Sequence, residues 1–508
     1  MPSRRTFLAA LAATSAFSAS GATGASAARA DSRSAAPEIA WSRTYAESAS
    51  LAGLSAVVPR EEGHVLLGTE GAAEYRGLAV RTDAAGRPRW TRRLGPPSSS
   101  FAAGAPHPDG GVVAAGTTNV ADRSPASEPP LSADPWLVRL DERGDLVWAR
   151  TLQPAAGTGG IEDLTRVGDG GGDGDSDDYL VCGGSRRDEE AVRRPWVARV
   201  TAAGHQRWAK TVEGRYRRGN LNAVATAENA TVATDGDAAS GTTGSDAVAA
   251  DEAAVYVGGS TRPPESDDYG RSEDALVACL APDGTTRWQY SADSSDTDSK
   301  GSRIEELHAD RDDAGVVAVG NRRFAYDDDG QGWHLRLDGT GAVEWDRRHS
   351  TGPWNWLSDV APTPEGYLLV GTREKTTGGG EGETNDGEDA NENGPRGAWV
   401  LHTDPTGNVV WERTYYDGDY STGNAIVHVE GREFLIAGRT SGGDASDGDA
   451  GWLANVGGAP PPNGRGATEF VADLADRIPP DADAIGLGAL LGAGAVTAGR
   501  RLLAKNRE

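Results

Sequence analysis

WLVRLDERGDLVWARTL, residues 136–152, is the phrase on which the reading of this chain turns. Two apolar stretches flank Asp141-Glu142-Arg143-Gly144, the composition of two short strands joined by a tight turn. The phrase returns as LAVRTDAAGRPRWTRRL from Leu78, WVARVTAAGHQRWAKTV from Trp196 and ALVACLAPDGTTRWQYS from Ala275. It returns again as WHLRLDGTGAVEWDRRH from Trp333 and WVLHTDPTGNVVWERTY from Trp399. A glycine always stands four residues before the second-strand tryptophan: Gly86, Gly144, Gly204, Gly284, Gly341 and Gly407. Glycine adopts positive φ without steric cost, so this spacing predicts a type I turn closed by a left-handed residue. Asp83, Asp141, Asp338 and Asp404 stand three before it, where a carboxylate bonds its own backbone and supports the turn.

Two more apolar stretches precede each phrase. One ends in glycine, as in VLLGT from Val65, VVAAGT from Val112, YLVCGGS from Tyr179 and YLLVGT from Tyr367. With the stretch before it, each unit has four short strands, A to D, and about 60 residues, longer than WD40 or kelch repeats because of inserted loops. A four-stranded antiparallel sheet repeated radially is a propeller blade. The seventh copy is divided. Residues 424–429, 433–439 and 451–456 supply A, B and C, and the missing D strand is residues 39–45 at the other end of the chain. Joining the ends in one sheet removes two free edges, which an open solenoid would not need. The expectation is an all-β, seven-bladed β-propeller over residues 38–458, closed by its N-terminal strand.

Assembled from its copies, the unit reads GYLLVGT…WLVRLDxxGxVxWxRTY. In this it resembles secreted prokaryotic β-propeller repeat proteins of WLVKLDxxGNxxWxKTYGG type, quinoprotein-like in style. The resemblance implies a propeller fold and export, and brings no catalytic motif. The adjacent cysteine pair expected beside a quinone is missing, so quinone binding is not expected.

Both ends look like trafficking segments. Ser3-Arg4-Arg5-Thr6-Phe7-Leu8 and the Ala/Ser-rich run after it predict a twin-arginine signal peptide over residues 1–30. Residues 459–483 read as linker and short helix. The uncharged run 484–499, followed by Arg500 and Arg501, predicts a C-terminal membrane anchor helix over 484–504, although it falls short of the roughly 20 residues that span a bilayer. These signals predict a protein on the outer face of the cell membrane.

Net charge is −26, and of 50 basic residues Lys210, Lys300, Lys375 and Lys505 alone are lysine. This matches an acidic protein of concentrated brine, and such a surface repels nucleic acid, which excludes that partner. Cys182 and Cys279 lie in apolar runs and read first as small buried hydrophobes, a mutual bridge being left open. Asn229 begins a glycosylation sequon.

Twelve of the fourteen tryptophans belong to the repeat and read as packing. Trp354 and Trp356 do not, and with Tyr415, Tyr416 and Tyr420 they form a candidate aromatic surface for carbohydrate or peptide. Strand A opens with Glu162-Asp163, Glu305-Glu306 and Ser358-Asp359. One member of each pair is expected to face the central channel, where Glu162, Asp163, Glu305, Glu306 and Asp359 would suit Ca²⁺. No catalytic motif accompanies them. The function read from these features is a cell-surface binding or scaffolding propeller, its partner a carbohydrate, a peptide or another surface protein; a quinone-dependent dehydrogenase or a glycan-active hydrolase or lyase is the alternative.

Overall fold

The computed structural model describes residues 35–45, 52–71, 74–121, 132–155, 157–167, 178–186, 193–212, 218–227, 254–262, 273–292, 301–310, 315–324, 330–349, 355–374, 396–418, 420–441 and 449–459. Two compact units are distinguished, Met1–Ala36 and Pro37–Glu508, and every strand belongs to the second. Among the described residues all regular structure is β.

The strands fall into consecutive antiparallel sets of four in the order A-B-C-D. The first set is Ala52–Arg60, Gly63–Glu70, Arg76–Thr82 and Pro88–Leu94. The second is Ser100–Pro106, Val112–Ala121, Ser132–Leu140 and Leu146–Thr151. The third, Asp163–Val167, Asp178–Arg186, Arg194–Thr201 and Gln206–Thr211, carries an extra two-residue strand, Thr158–Gly159. The fourth is Arg218–Ala227, Ala254–Arg262, Asp274–Leu280 and Thr286–Ser291, and the fifth is Gly301–Ala309, Val316–Phe324, Gln331–Leu337 and Val343–His349. The remaining eight strands form one sheet that resolves into two such sets joined by a single parallel pairing, Arg396 with Tyr420. One set is Asn355–Thr363, Gly366–Glu374, Arg396–Thr403 and Val409–Tyr415. The other is Tyr420–Glu430, Glu433–Ser441, Asp449–Val456 and, from the start of the chain, Ile39–Tyr45. Trp41 pairs with Asn455 and Tyr45 with Gly451, so the orphan strand fills the place that the repeat leaves open.

Seven apolar clusters separate the sets. Leu67, Val58, Phe101 and Trp136 pack first against second, and Ala105, Leu137, Val181 and Trp196 second against third. The series runs on through Cys182 with Val255, Tyr256 with Trp333, Val319 with Trp399, and Val370 with Trp452. The seventh cluster joins Leu435 and Leu453 of the last set to Leu54 and Leu66 of the first. Cys182 and Cys279 are free thiols buried in different clusters.

A second seam runs along the D strands. Six of the seven D-strand tryptophans lie over the turn glycine of the next set: Trp41 on Gly86, Trp90 on Gly144, Trp148 on Gly204, Trp208 on Gly284, Trp288 on Gly341 and Trp345 on Gly407, while Trp411 stacks on Phe434. A Cβ on Gly144 would sit 2.7 Å from the Trp90 ring, and the residue holds φ 77°, so both space and backbone demand glycine. The basic residue two places on covers the same ring, Arg92 over Trp90 at 5.5 Å, and Arg92 Nε donates to the Gly144 carbonyl at 2.9 Å. Asp141 Oδ1 accepts the Arg143 and Asp145 amides, as its spacing predicts.

The C-terminal expectation needs correction. No helix among the described residues is long and apolar enough to cross a membrane, and attachment to the outer face of a membrane through such a helix has no support. The segment 484–504, the signal segment 1–30 and the linker from residue 460 lie outside the described residues, as does Asn229.

Candidate functional site

Strand A carries one extra residue at the same register in set after set. The pairing slips between Leu54 and Ala56, Phe101 and Ala103, Leu221 and Ala223, Ile304 and Glu306, Leu357 and Asp359, and Gly423 and Ala425. A bulge interrupts the alternation of side chains. Hence Ser358 and Asp359 both escape the core, as do Glu305 and Glu306, with buried residues on either side. The expectation that one member of each pair faces away from the core is therefore corrected: both do.

These side chains tie sheet to sheet. Asp163 accepts the Leu164 amide at 2.7 Å and, from the next set, the Val224 amide at 2.8 Å. Asp359 repeats this with Val360 and Ile426, both at 2.6 Å. Asn222 donates to the Ile304 carbonyl at 2.8 Å and to Glu305 at 3.1 Å, and Asn424 donates to the Leu54 carbonyl at 2.8 Å. Glu305 also meets Arg303 at 3.1 Å, and Glu162 lies 3.9 Å from Arg193. Glu306 accepts the Leu307 amide at 2.9 Å.

Crowding by protein raises the proton affinity of the inner acids. Burial pushes Asp163 up to about 6, against its two amide bonds. Burial, reinforced by Asp163, pushes Asp359 up to about 7. Glu306 is raised well above the usual carboxylate range by burial and then by Asp163 and Asp359, and Glu305 is raised mainly by burial. Among the described residues no group of three or more His, Cys, Asp or Glu is placed to hold a metal. The expected Ca²⁺ ring of Glu162, Asp163, Glu305, Glu306 and Asp359 is corrected accordingly: backbone amides, asparagines and arginines engage these carboxylates, which do not converge as a ligand set.

The aromatic surface lies where strands A and C of the sixth set meet the seventh. Trp354 is outside the described residues, and Trp356 is half-buried. The Arg396 guanidinium lies 5.7 Å from the Trp356 ring centre. Arg396 itself pairs with Tyr420, and Arg439 covers the Tyr420 ring at 5.3 Å while donating to its hydroxyl at 3.2 Å. Tyr416 is 40% exposed and closes over Gly397, beside Arg396. Tyr415 does not join them. It is 3% exposed and donates to the Pro37 carbonyl at 2.8 Å, next to an Arg413–Glu38 ion pair at 2.6 Å, so it secures the N-terminal strand. Arg396 and Arg439 were not singled out by sequence; their position just inside strands C and B, flanking variable loops, was the available signal.

No protein-family model matches the chain, and no curated protein matches it. Solved structures resemble it distantly. A protein of unknown function from Dyadobacter fermentans is 12% identical, with 82% of this chain and 98% of that one covered and a TM-score of 0.42. An apocarotenoid oxygenase mutant from Synechocystis is 11% identical over 71% of each chain, with a TM-score of 0.37. A neuraminidase-like protein of a flat-faced bat influenza virus is 11% identical over 71% of this chain and 88% of that one, with a TM-score of 0.32. Likenesses this slight carry no function across.

Proposed function

We propose that the chain is a closed seven-bladed propeller acting as a binding module, and that it takes carbohydrate at Trp356, Tyr416 and Tyr420. Support for the ring comes from the seventh apolar cluster, which packs the last set on the first, together with the pairing of Ile39–Tyr45 with Asp449–Val456. The binding reading rests on one observation: three aromatic rings stand together with Arg396 and Arg439, on a rigid sheet rim. Aromatic faces accept the C–H faces of a sugar ring, and guanidinium donors meet its hydroxyl or carboxylate oxygens.

A glycan panel titrated into the purified chain, read by tryptophan fluorescence, tests this. Binding is expected for at least one acidic or neutral oligosaccharide, and Tyr416→Ala is expected to weaken it about tenfold, a change near 1.4 kcal/mol. Tyr416 is the most exposed of the three, so its loss leaves the core intact. Silence across the panel, or capture of peptides instead, would remove the carbohydrate assignment.

A further inference from the structure

A cleft of 1040 Å³ opens at the opposite end of the sheets, among the A–B and C–D turns of the first two sets. Pro59, Arg60, Arg81 and Trp90 come from the first set and His107 and Asp109 from the second. Its wall contains an exception to the repeat. Arg81, Arg139, Arg199 and Arg336 occupy one equivalent strand-C position. Three of them have a carboxylate: Arg139 meets Asp109 at 3.2 Å, Arg199 meets Asp178 at 2.5 Å, and Arg336 meets Glu344 at 2.5 Å as well as Asp310. In the seventh set Asn455 fills the place and donates to Glu433 at 2.7 Å.

Arg81 has no such partner. Its Nη1 donates to the Thr82 carbonyl at 2.7 Å and the His64 carbonyl at 3.3 Å, and among the described residues no acid lies within ion-pair distance. The site that offers Asp178 in the third set and Glu433 in the seventh is Gly63 in the first, as it is Gly111 in the second and Gly315 in the fifth, where Asp109 and Asp310 supply the acid from the turn instead. Gly63 holds φ 104°, and a Cβ there would come within 2.3 Å of the Thr82 carbonyl oxygen. Of the acids that line the cleft, Glu62 pairs with Arg89 at 3.0 Å, Asp109 with Arg139, and Asp141 accepts its own turn amides, while Glu61 and Glu142 share the cleft without reaching ion-pair distance of Arg81. Arg60 stands beside Arg81, likewise without an ion-pair partner among the described residues. Burial, then repulsion from Arg89 and Arg60, weakens the hold of Arg81 on its proton, the direction an approaching anion would reverse.

We propose that this cleft binds an oxyanion, a carboxylate or phosphate group of a small ligand, through Arg81 with Arg60. The planar guanidinium offers parallel N–H donors to two oxygens of one group. Pro59 and Trp90 provide apolar wall for the rest of the ligand. The site is independent of the carbohydrate surface, and neither assignment depends on the other.

The test is calorimetric titration of the intact protein with citrate and, separately, inorganic phosphate, repeated with a thermal melt. Binding of either is expected, with a rise in melting temperature in its presence. Whichever binds more tightly identifies the preferred group. Arg81→Met, which keeps the aliphatic stem, should weaken binding by about tenfold or more, the loss expected for a charge-assisted pair. Arg60→Gln should weaken it less and serves as the measure if Arg81→Met fails to fold. Arg139→Met, whose arginine already has its acid, should leave binding unchanged. Failure of both anions to bind the unaltered protein overturns the proposal, as does undiminished binding by Arg81→Met and Arg60→Gln.

Discussion

Along the D strands one contact is repeated six times: a tryptophan over the next turn glycine, followed two places on by a basic residue in every case but Trp288, where Tyr290 stands instead. Along the A strands the corresponding positions hold Ser55, Ala102, Glu162, Asn222, Glu305, Ser358 and Asn424, with Asp163, Glu306 and Asp359 among alanines at the next step. The two edges perform the same mechanical task, joining one sheet to the next. The D edge does it with one device at six junctions. The A edge does it with ties that change along the chain, a carboxylate on the next strand's amide at Asp163 and Asp359 and an asparagine on the next strand's carbonyl at Asn222 and Asn424. Repetition suits packing, which is the same at each junction. Polar ties need only satisfy local donors, so they diverge, and the residues that depart from the common solution become the informative ones.

Removing the repeated device should cost most. Trp288 is 5% exposed and donates to the Gly339 carbonyl at 2.9 Å, and Trp288→Ala is expected to destabilise by about 3–5 kcal/mol in urea unfolding. Breaking a polar tie should cost less. Asp359→Ala leaves the Val360 and Ile426 amides without their acceptor, at about 1–3 kcal/mol in all, since the half-buried site admits water as a substitute. A loss from Asp359→Ala exceeding that from Trp288→Ala would reverse the ranking of the two edges.

The A edge should also be the pH-sensitive one. Asp163 and Asp359 have folded-state pKa values of about 6 and 7, raised above their ordinary 3.8. For acids shifted upward, the folded state holds the proton more tightly. Their contribution is thus fully present below the unfolded value and is lost as pH rises through the folded one. Melting temperature should therefore fall from this source between about pH 4 and 7. His64 works in the other direction: burial lowers it to about 4, so its contribution is present above 6.5 and lost as pH falls through 4. Asp359→Asn, unable to ionise, should flatten the decline on the alkaline side in melts recorded across this range; an unchanged slope would contradict the assignment. The smallest effect is expected from Arg92→Ala, which removes a half-exposed cation from Trp90 while leaving the ring on Gly144, at about 0.5–1 kcal/mol by chemical denaturation.

Much of the fold was legible because its devices are local and repeated. Gly144 and Asp141 sit at fixed distances in the phrase, and the structure gives them the positive φ and the amide bonds that the spacing implies. The orphan strand was legible from phase alone, and Trp41 does pair with Asn455. The sites were harder to read because they depend on departures from alternation and on distant partners. A bulge moved Glu305 and Glu306 to the same side, which a strict period of two does not allow. Tyr415 looked like its neighbour Tyr416, yet it bonds to Pro37, more than three hundred positions away in the chain. That Arg81 alone of the four equivalent arginines has no acid at ion-pair distance among the described residues depends on turn geometry, which composition alone does not reveal.

The pairing of Ile39–Tyr45 with Asp449–Val456 has a consequence for synthesis. Strand Ile39–Tyr45 has its seat beside a strand made more than four hundred residues later. Until residues 449–456 have been made, Trp41 and Tyr45 have no sheet to enter, while intermediate sets can already assemble on one another. A chain that stops before them exposes two unpaired strand edges at once.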